Sequence, residues 1–111
     1  MQVKFMWNGI KIDGTLFRAH YSKGNYTPES GIPAGTITVY RRDYGPMPEI
    51  PGLTRRNESD IMTDYFETDR IMIARDNGWY PAALAAWEKA EAHNDRRFEK
   101  RYGIQRPAVM A

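Results

Sequence analysis

The chain has 111 residues, a formal net charge of +2, 41% hydrophobic and 13% aromatic content and no cysteine. That length fits one hydrophobic core but not two. The missing thiol excludes disulfides, thiolate metal sites, iron–sulfur clusters and cysteine nucleophiles, and it favours a cytoplasmic protein. No apolar run approaches a membrane span, and Met1 leads into an alternating pattern rather than a charged and then apolar leader, so no membrane contact is expected.

In chain order, the first signal is "KFMWNGIKIDG". Asn-Gly between alternating apolar residues predicts a hairpin whose type I′ turn needs positive φ at Asn8 and Gly9. That turn would pair Trp7 with Ile10, Phe5 with Ile12 and Lys4 with Asp13, placing apolar side chains on one face and an ion pair on the other. A break at Asp13-Gly14, either a second tight turn or a glycine bulge, then brings Phe17, Ala19 and Tyr21 to the core face. "KGNYTPESGIPAG" reads as a loop. "TITVYRRDY" (36–44) reads as the next strand. "GPMPEIPGL", with its three prolines, is expected to cross the surface in extended form as a linker inside the domain. Arg55 and Arg56 fall in the loop that follows.

"YFETDRIMIA" reads as a last strand, with Ile71 and Ile73 on one face and Met72 on the other. Pro81 suits a first helical position. The residues from 81 to 102 form the one clear helix, with Leu84, Trp87, Ala90, Asn94 and Phe98 along one stripe and Gly103 as its stop. Leu84 and Trp87 are expected to pack it on the sheet. Trp79 and Tyr80, just ahead of it, either plug the end of the core or mark a contact. The expected fold is α+β: an antiparallel sheet of four or five strands covered by one long C-terminal helix, over residues 1–103, with 104–111 as a loose tail.

The charges are unevenly spread. Between Asn57 and Asp69 stand Glu58, Asp60, Asp64, Glu67 and Asp69 with no base, whereas Arg96, Arg97, Lys100, Arg101 and Arg106 stand near the end against Glu99 alone. The acids fit either a protein-binding surface or a solvated edge that discourages aggregation. They lack the glycine and terminal glutamate of an EF-hand loop, and no metal site is expected. His20 and His93 are too few for a zinc site on their own, and a surface or partly packed role is expected for both. The basic tract with Phe98 and Tyr102 has the composition of a phosphate-tracking helix, which Arg41 and Arg42 would widen if the fold brings them near. No constellation of nucleophile, base and metal ligand is present, so neither an enzyme nor a bound cofactor is expected.

The segments "KFMWNGIKIDGTLFRAHYS", "GTITVYRRDY", "GLT", "MTDYFETDRI" and "WYPAALAAWEKAEAH" follow an order that resembles small uncharacterised accessory proteins of phages and mobile elements of gut bacteria. The resemblance runs from Val3 to about His93 and contains no catalytic motif. It implies a non-catalytic mobile-element protein, anti-CRISPR-like, that binds and inhibits a host nucleic-acid-handling effector, either a protein or a ribonucleoprotein. The alternative is a small nucleic-acid-binding accessory protein using Arg41, Arg42, Arg96, Arg97, Lys100 and Arg101.

Overall fold

A computed structural model describes residues 1–24, 32–59 and 67–103, with backbone alone for 57–59 and 67–68. Its elements are β1 (Val3–Met6), β2 (Gly9–Ile12), β3 (Thr15–Lys23), β4 (Ile37–Arg41), β5 (Thr54–Ser59), β6 (Glu67–Ile73) and α1 (Tyr80–Tyr102). The strands form one sheet in the order β1-β2-β3-β4-β6-β5, every neighbour antiparallel. This is the expected α+β layer with one strand more. The extra strand is β5: Arg55 and Arg56 are not in a loop but paired with Ile71 and Arg70 along the edge.

The first hairpin exists, but its turn sits one residue earlier than Asn-Gly predicts. Phe5 pairs with Ile10, Met6 with Gly9, and Trp7-Asn8 make the turn. The positive-φ pair of a type I′ turn occurs instead at Asp13 (φ 45°) and Gly14 (φ 85°), between β2 and β3. Gly9 is needed for a different reason. A Cβ there would collide with the Phe17 carbonyl oxygen across the strand pair. The shift changes the charge pairing too. Lys4 faces Lys11, not Asp13, whose carboxylate accepts the Gln2 amide at 2.8 Å. Because both registers keep the same parity, Phe5, Ile10 and Ile12 still share the core face.

β3 is the long strand, nine residues, and it serves two partners in turn. Residues 15–18 pair with β2 and residues 19–23 with β4. Its inward positions Phe17, Ala19 and Tyr21 line the core as the break at Asp13-Gly14 requires. Ile37, Val39, Ile71 and Ile73 complete the apolar face, all at most 1% exposed.

The proline-rich segment does more than cross the surface. Met47 and Ile50, 1% and 4% exposed, are inserted into the core. Prolines on either side fix the backbone and leave it without ladder partners, but the side chains between them still bury apolar area.

α1 lies over this face, against β1, β3 and β4. The residues it buries are Ala83 and Ala86, with Leu84 beside them. Small side chains let the helix approach the isoleucines closely, and Trp87 stays at the margin with the Lys23 ammonium 5.2 Å from its ring centre. Trp79 plugs the end of the core, its ring edge-on to Phe5 at 5.7 Å. Its amide is capped by the Asn77 side-chain oxygen at 2.8 Å. Gly103, at φ 63°, closes the helix by donating to the Glu99 carbonyl at 2.8 Å. No helix among the described residues is long and apolar enough to cross a membrane. The expected tail, 104–111, lies outside the described residues.

Candidate nucleic-acid interface

Side chains alternate across a strand, so the positions that do not face α1 form a second surface. On β1 and β2 these are Lys4 and Lys11, directly opposite one another. On β3 they are Leu16, Arg18, His20 and Ser22; on β4, Thr38 and Tyr40; on β6, Arg70 and Met72; on β5, Thr54 and Arg56. Two features stand out. Two pairs of like charges face each other across strands, Lys4 with Lys11 and Arg56 with Arg70. Among the described side chains at strand positions of this surface none is acidic, and the backbone register places Glu58, opposite Thr68, on the same face at the end of β5.

One row crosses four strands. His20 is paired with Tyr40, their ring centres 5.4 Å apart. The Arg70 guanidinium lies 5.6 Å from the Tyr40 ring centre, and Arg56 is its partner on β5. Three strand spacings make this row about 14 Å long. The Arg70 Nε is buried without a hydrogen-bond partner. The His20 imidazole is held below its usual pKa, first by burial and then by the nearby Arg42 guanidinium.

The turn after β4 extends the row. Tyr44 adopts φ 57°, a left-handed conformation unusual for a bulky residue, and its ring stacks on Tyr40 at 6.3 Å and 21°. Hydrogen bonds hold it there. The Tyr44 amide donates to the Arg41 carbonyl at 3.0 Å, and the Asp43 carboxylate accepts the Gly45 amide at 3.0 Å and the Arg41 guanidinium at 2.6 Å. The Gly45 amide first, and Arg41 after it, hold the Asp43 carboxyl below its usual range. The ring so placed is 47% exposed.

The residues singled out from sequence are only partly brought together. Arg41 is committed to Asp43 and to the Pro46 carbonyl, which neutralises it. Arg42 is exposed beside His20 and lines a cleft with Trp87, Glu91 and Asn94 of the helix. Asn94 also borders a hollow formed by Arg97, Phe98, Lys100, Arg101 and Tyr102 at the basic helix end. Arg96 points elsewhere, into a hollow with Trp7 and His93, whose rings lie 4.1 Å apart. Of the acids, Glu58 pairs with Thr68, Glu67 with Ser59 and Asp69 with Asn57 along the β5–β6 ladder. Asp60 and Asp64 lie outside the described residues. The acidic stretch therefore has a backbone frame at its ends and no described surface between them.

Other hollows are poorer in chemistry. Those beside Met1, of 630 and 680 Å³, hold Glu49 and Arg55 in one and Lys4 and Lys11 in the other, with no nucleophile beside a base. Among the described residues no three His, Asp or Glu side chains gather within reach of one ion.

Sequence reasoning missed Lys4, Lys11, Arg18, Tyr40, Arg56 and Arg70 as a set. A signal was present, since assigning Phe17, Ala19 and Tyr21 inward turns Arg18 and His20 outward. What joins them to Tyr40 and Arg70 is strand order, which a single sequence does not display. Comparison with known proteins finds no match: no family model, curated protein or solved structure resembles the chain at a significant level.

Proposed function

We propose that this protein is a non-catalytic nucleic-acid-binding accessory protein that works in the cytoplasm and uses the basic sheet surface together with the helix end. The observation that carries this is the pairing of like charges. Lys4 opposite Lys11 is an unfavourable cross-strand pair in isolation, and a second pair of cations, Arg56 and Arg70, stands opposite one another on the same face. A polyanion laid over them turns that repulsion into attraction and releases its counterions. The association with phages and mobile elements, and inhibition of a host ribonucleoprotein in an anti-CRISPR-like manner, belong to the same proposal. A surface that holds a nucleic-acid strand can compete for the guide or substrate of such an effector. The route through the acidic residues draws no support from the described surface.

The test is a titration with labelled RNA and DNA at two salt concentrations. Affinity should fall steeply with salt, and each of Lys11→Ala, Arg18→Ala and Arg56→Ala should flatten the log–log slope by about one unit or less. Absence of binding at micromolar protein in low salt, or binding indifferent to salt, would remove the proposal.

A further inference from the structure

Nucleic acid can be held by phosphate contacts alone or by contacts that also reach the bases. The second mode requires rings beside the positive charges, because bases of an unpaired strand stack on aromatic faces. The sheet surface carries both. His20 and Tyr40 form a cross-strand ring pair, and Tyr44 stacks on Tyr40 from the adjoining turn. Arg18 is exposed two residues from His20, Arg42 lies beside it, and Arg70 flanks Tyr40.

The backbone at Tyr44 is the second, independent observation. A left-handed residue in an exposed turn is usually glycine or asparagine, and a bulky side chain there costs of order 1–3 kcal/mol. Here the Asp43 carboxylate and the Arg41 carbonyl lock the turn so that a half-exposed tyrosine is presented over the sheet. Core packing does not require it, since Tyr44 lies outside the buried cluster. Duplex nucleic acid has no use for such rings, because its bases already stack on each other. A phosphate-only surface has no use for them either.

We infer that the surface formed by His20, Tyr40 and Tyr44 with Arg18, Arg42 and Arg70 takes a single strand of nucleic acid, bases stacked on the rings and phosphates on the guanidinium groups. This rests on the proposed nucleic-acid binding and specifies its ligand. The row spans about 14 Å, room for roughly two to three nucleotides at the spacing of an extended strand. Ring stacking tolerates every base, so little sequence preference is expected. The surface does not choose between ribose and deoxyribose through these groups, and the two sugars form separate arms of the test.

The experiment measures fluorescence anisotropy of labelled oligo(U), oligo(dT) and a blunt DNA duplex of equal length, with wild type, His20→Ala, Tyr44→Ala and the helix-end variant Lys100→Ala/Arg101→Ala. Both ring positions are exposed, and circular dichroism verifies that each variant is folded. Wild type should bind the single strands at least about ten-fold more tightly than duplex. Each ring variant should lose about five-fold or more on single strands and change little on duplex, as stacking energies per base imply. The helix-end variant should weaken all three ligands together. Equal affinity for single strand and duplex, or ring variants that bind like wild type while binding stays salt-sensitive, would overturn the single-strand inference and leave nucleic-acid binding standing. Loss of salt-sensitive binding to all three ligands in the wild type would remove both.

Discussion

The two faces of the sheet are written by alternate residues of the same strands, yet they follow opposite rules. The face under α1 is apolar where the helix covers it, at Ile37, Val39, Ile71 and Ile73, and polar residues of the same parity, Arg41 and Asp69, stand farther along β4 and β6. The other face places cations opposite cations and rings opposite rings. Burial explains the first, because each isoleucine removed from water contributes roughly 1.5–3 kcal/mol. Nothing in folding asks for the second. A surface selected only for solubility would intersperse both signs of charge. The contrast separates what makes this chain fold from what it holds ready for a partner.

The sharpest way to break the comparison uses adjacent residues. Ile71→Ala should cost about 2–5 kcal/mol, since the site is closed between the sheet and the helix. Arg70→Ala, one residue away, should shift stability by about 1 kcal/mol at most. It gives up a cation–π contact, worth about 0.5–1 kcal/mol at an exposed site, and closes no part of the core. Urea unfolding of the two variants measures this. A loss at Arg70 as large as that at Ile71 would mean that the outer row is structural.

Two glycines, Gly9 at the start of β2 and Gly14 in the turn after it, give the next effect in size. Gly9→Ala drives a methyl group into the Phe17 carbonyl and should cost about 1–3 kcal/mol. Gly14→Ala meets open space and bears only the strain of φ 85°, of order 1 kcal/mol. Thermal unfolding should rank them in that order, and the reverse would mean that the hairpin is paired as Asn-Gly at the turn would have it.

That inversion shows what the sequence could and could not disclose. Parity survives a register shift of this kind, so the core residues Phe5, Ile10 and Ile12 were readable from alternation alone. The partner of Lys4 was not, because Asp13 and Lys11 both lie on its side and only the turn geometry decides between them. β5 was hidden because TRRNES has polar residues at every position and no apolar period to read. The helix was legible from composition, but its contact was not. Leu84 and Trp87 are the conspicuous apolar residues, whereas Ala83 and Ala86 make the closest approach. Trp87→Ala should accordingly cost less than the 3–5 kcal/mol of a fully buried aromatic. Of the interface, the arginines were visible as types and the row was not, since it depends on β4 lying between β3 and β6.

Tyr44→Gly is expected to leave stability within about 0.5 kcal/mol. Release of left-handed strain, of order 1 kcal/mol, offsets the lost ring contact with Tyr40, worth about 0.5–1.5 kcal/mol. Chemical denaturation at neutral pH measures the balance. A loss above about 2 kcal/mol would place Tyr44 among the residues that hold the fold and would deprive its geometry of functional meaning.

The smallest effect expected is a pH dependence centred on His20. Its pKa in the folded protein lies below the unfolded value of 6.5, because burial disfavours the imidazolium and Arg42 repels it. Above pH 6.5 both states carry a neutral imidazole, and the contribution to stability is fully present. As pH falls through 6.5 the unfolded chain takes up its proton first and gains free energy that the folded state does not, so stability declines. The decline ends once pH passes below the folded pKa, where both states are protonated. His20→Gln keeps a polar side chain and removes the titration. The stability difference between wild type and this variant should therefore be flat above pH 7 and should shift against the wild type between pH 6.5 and the lower folded value. His20 is exposed, so the shift is expected to be small, and pH-resolved unfolding midpoints of the two proteins will reveal it. A difference that moves in favour of the wild type as pH falls would mean that His20 meets an anionic partner within the fold. In that case the charges around His20 would not be the cations that the strand register places beside it.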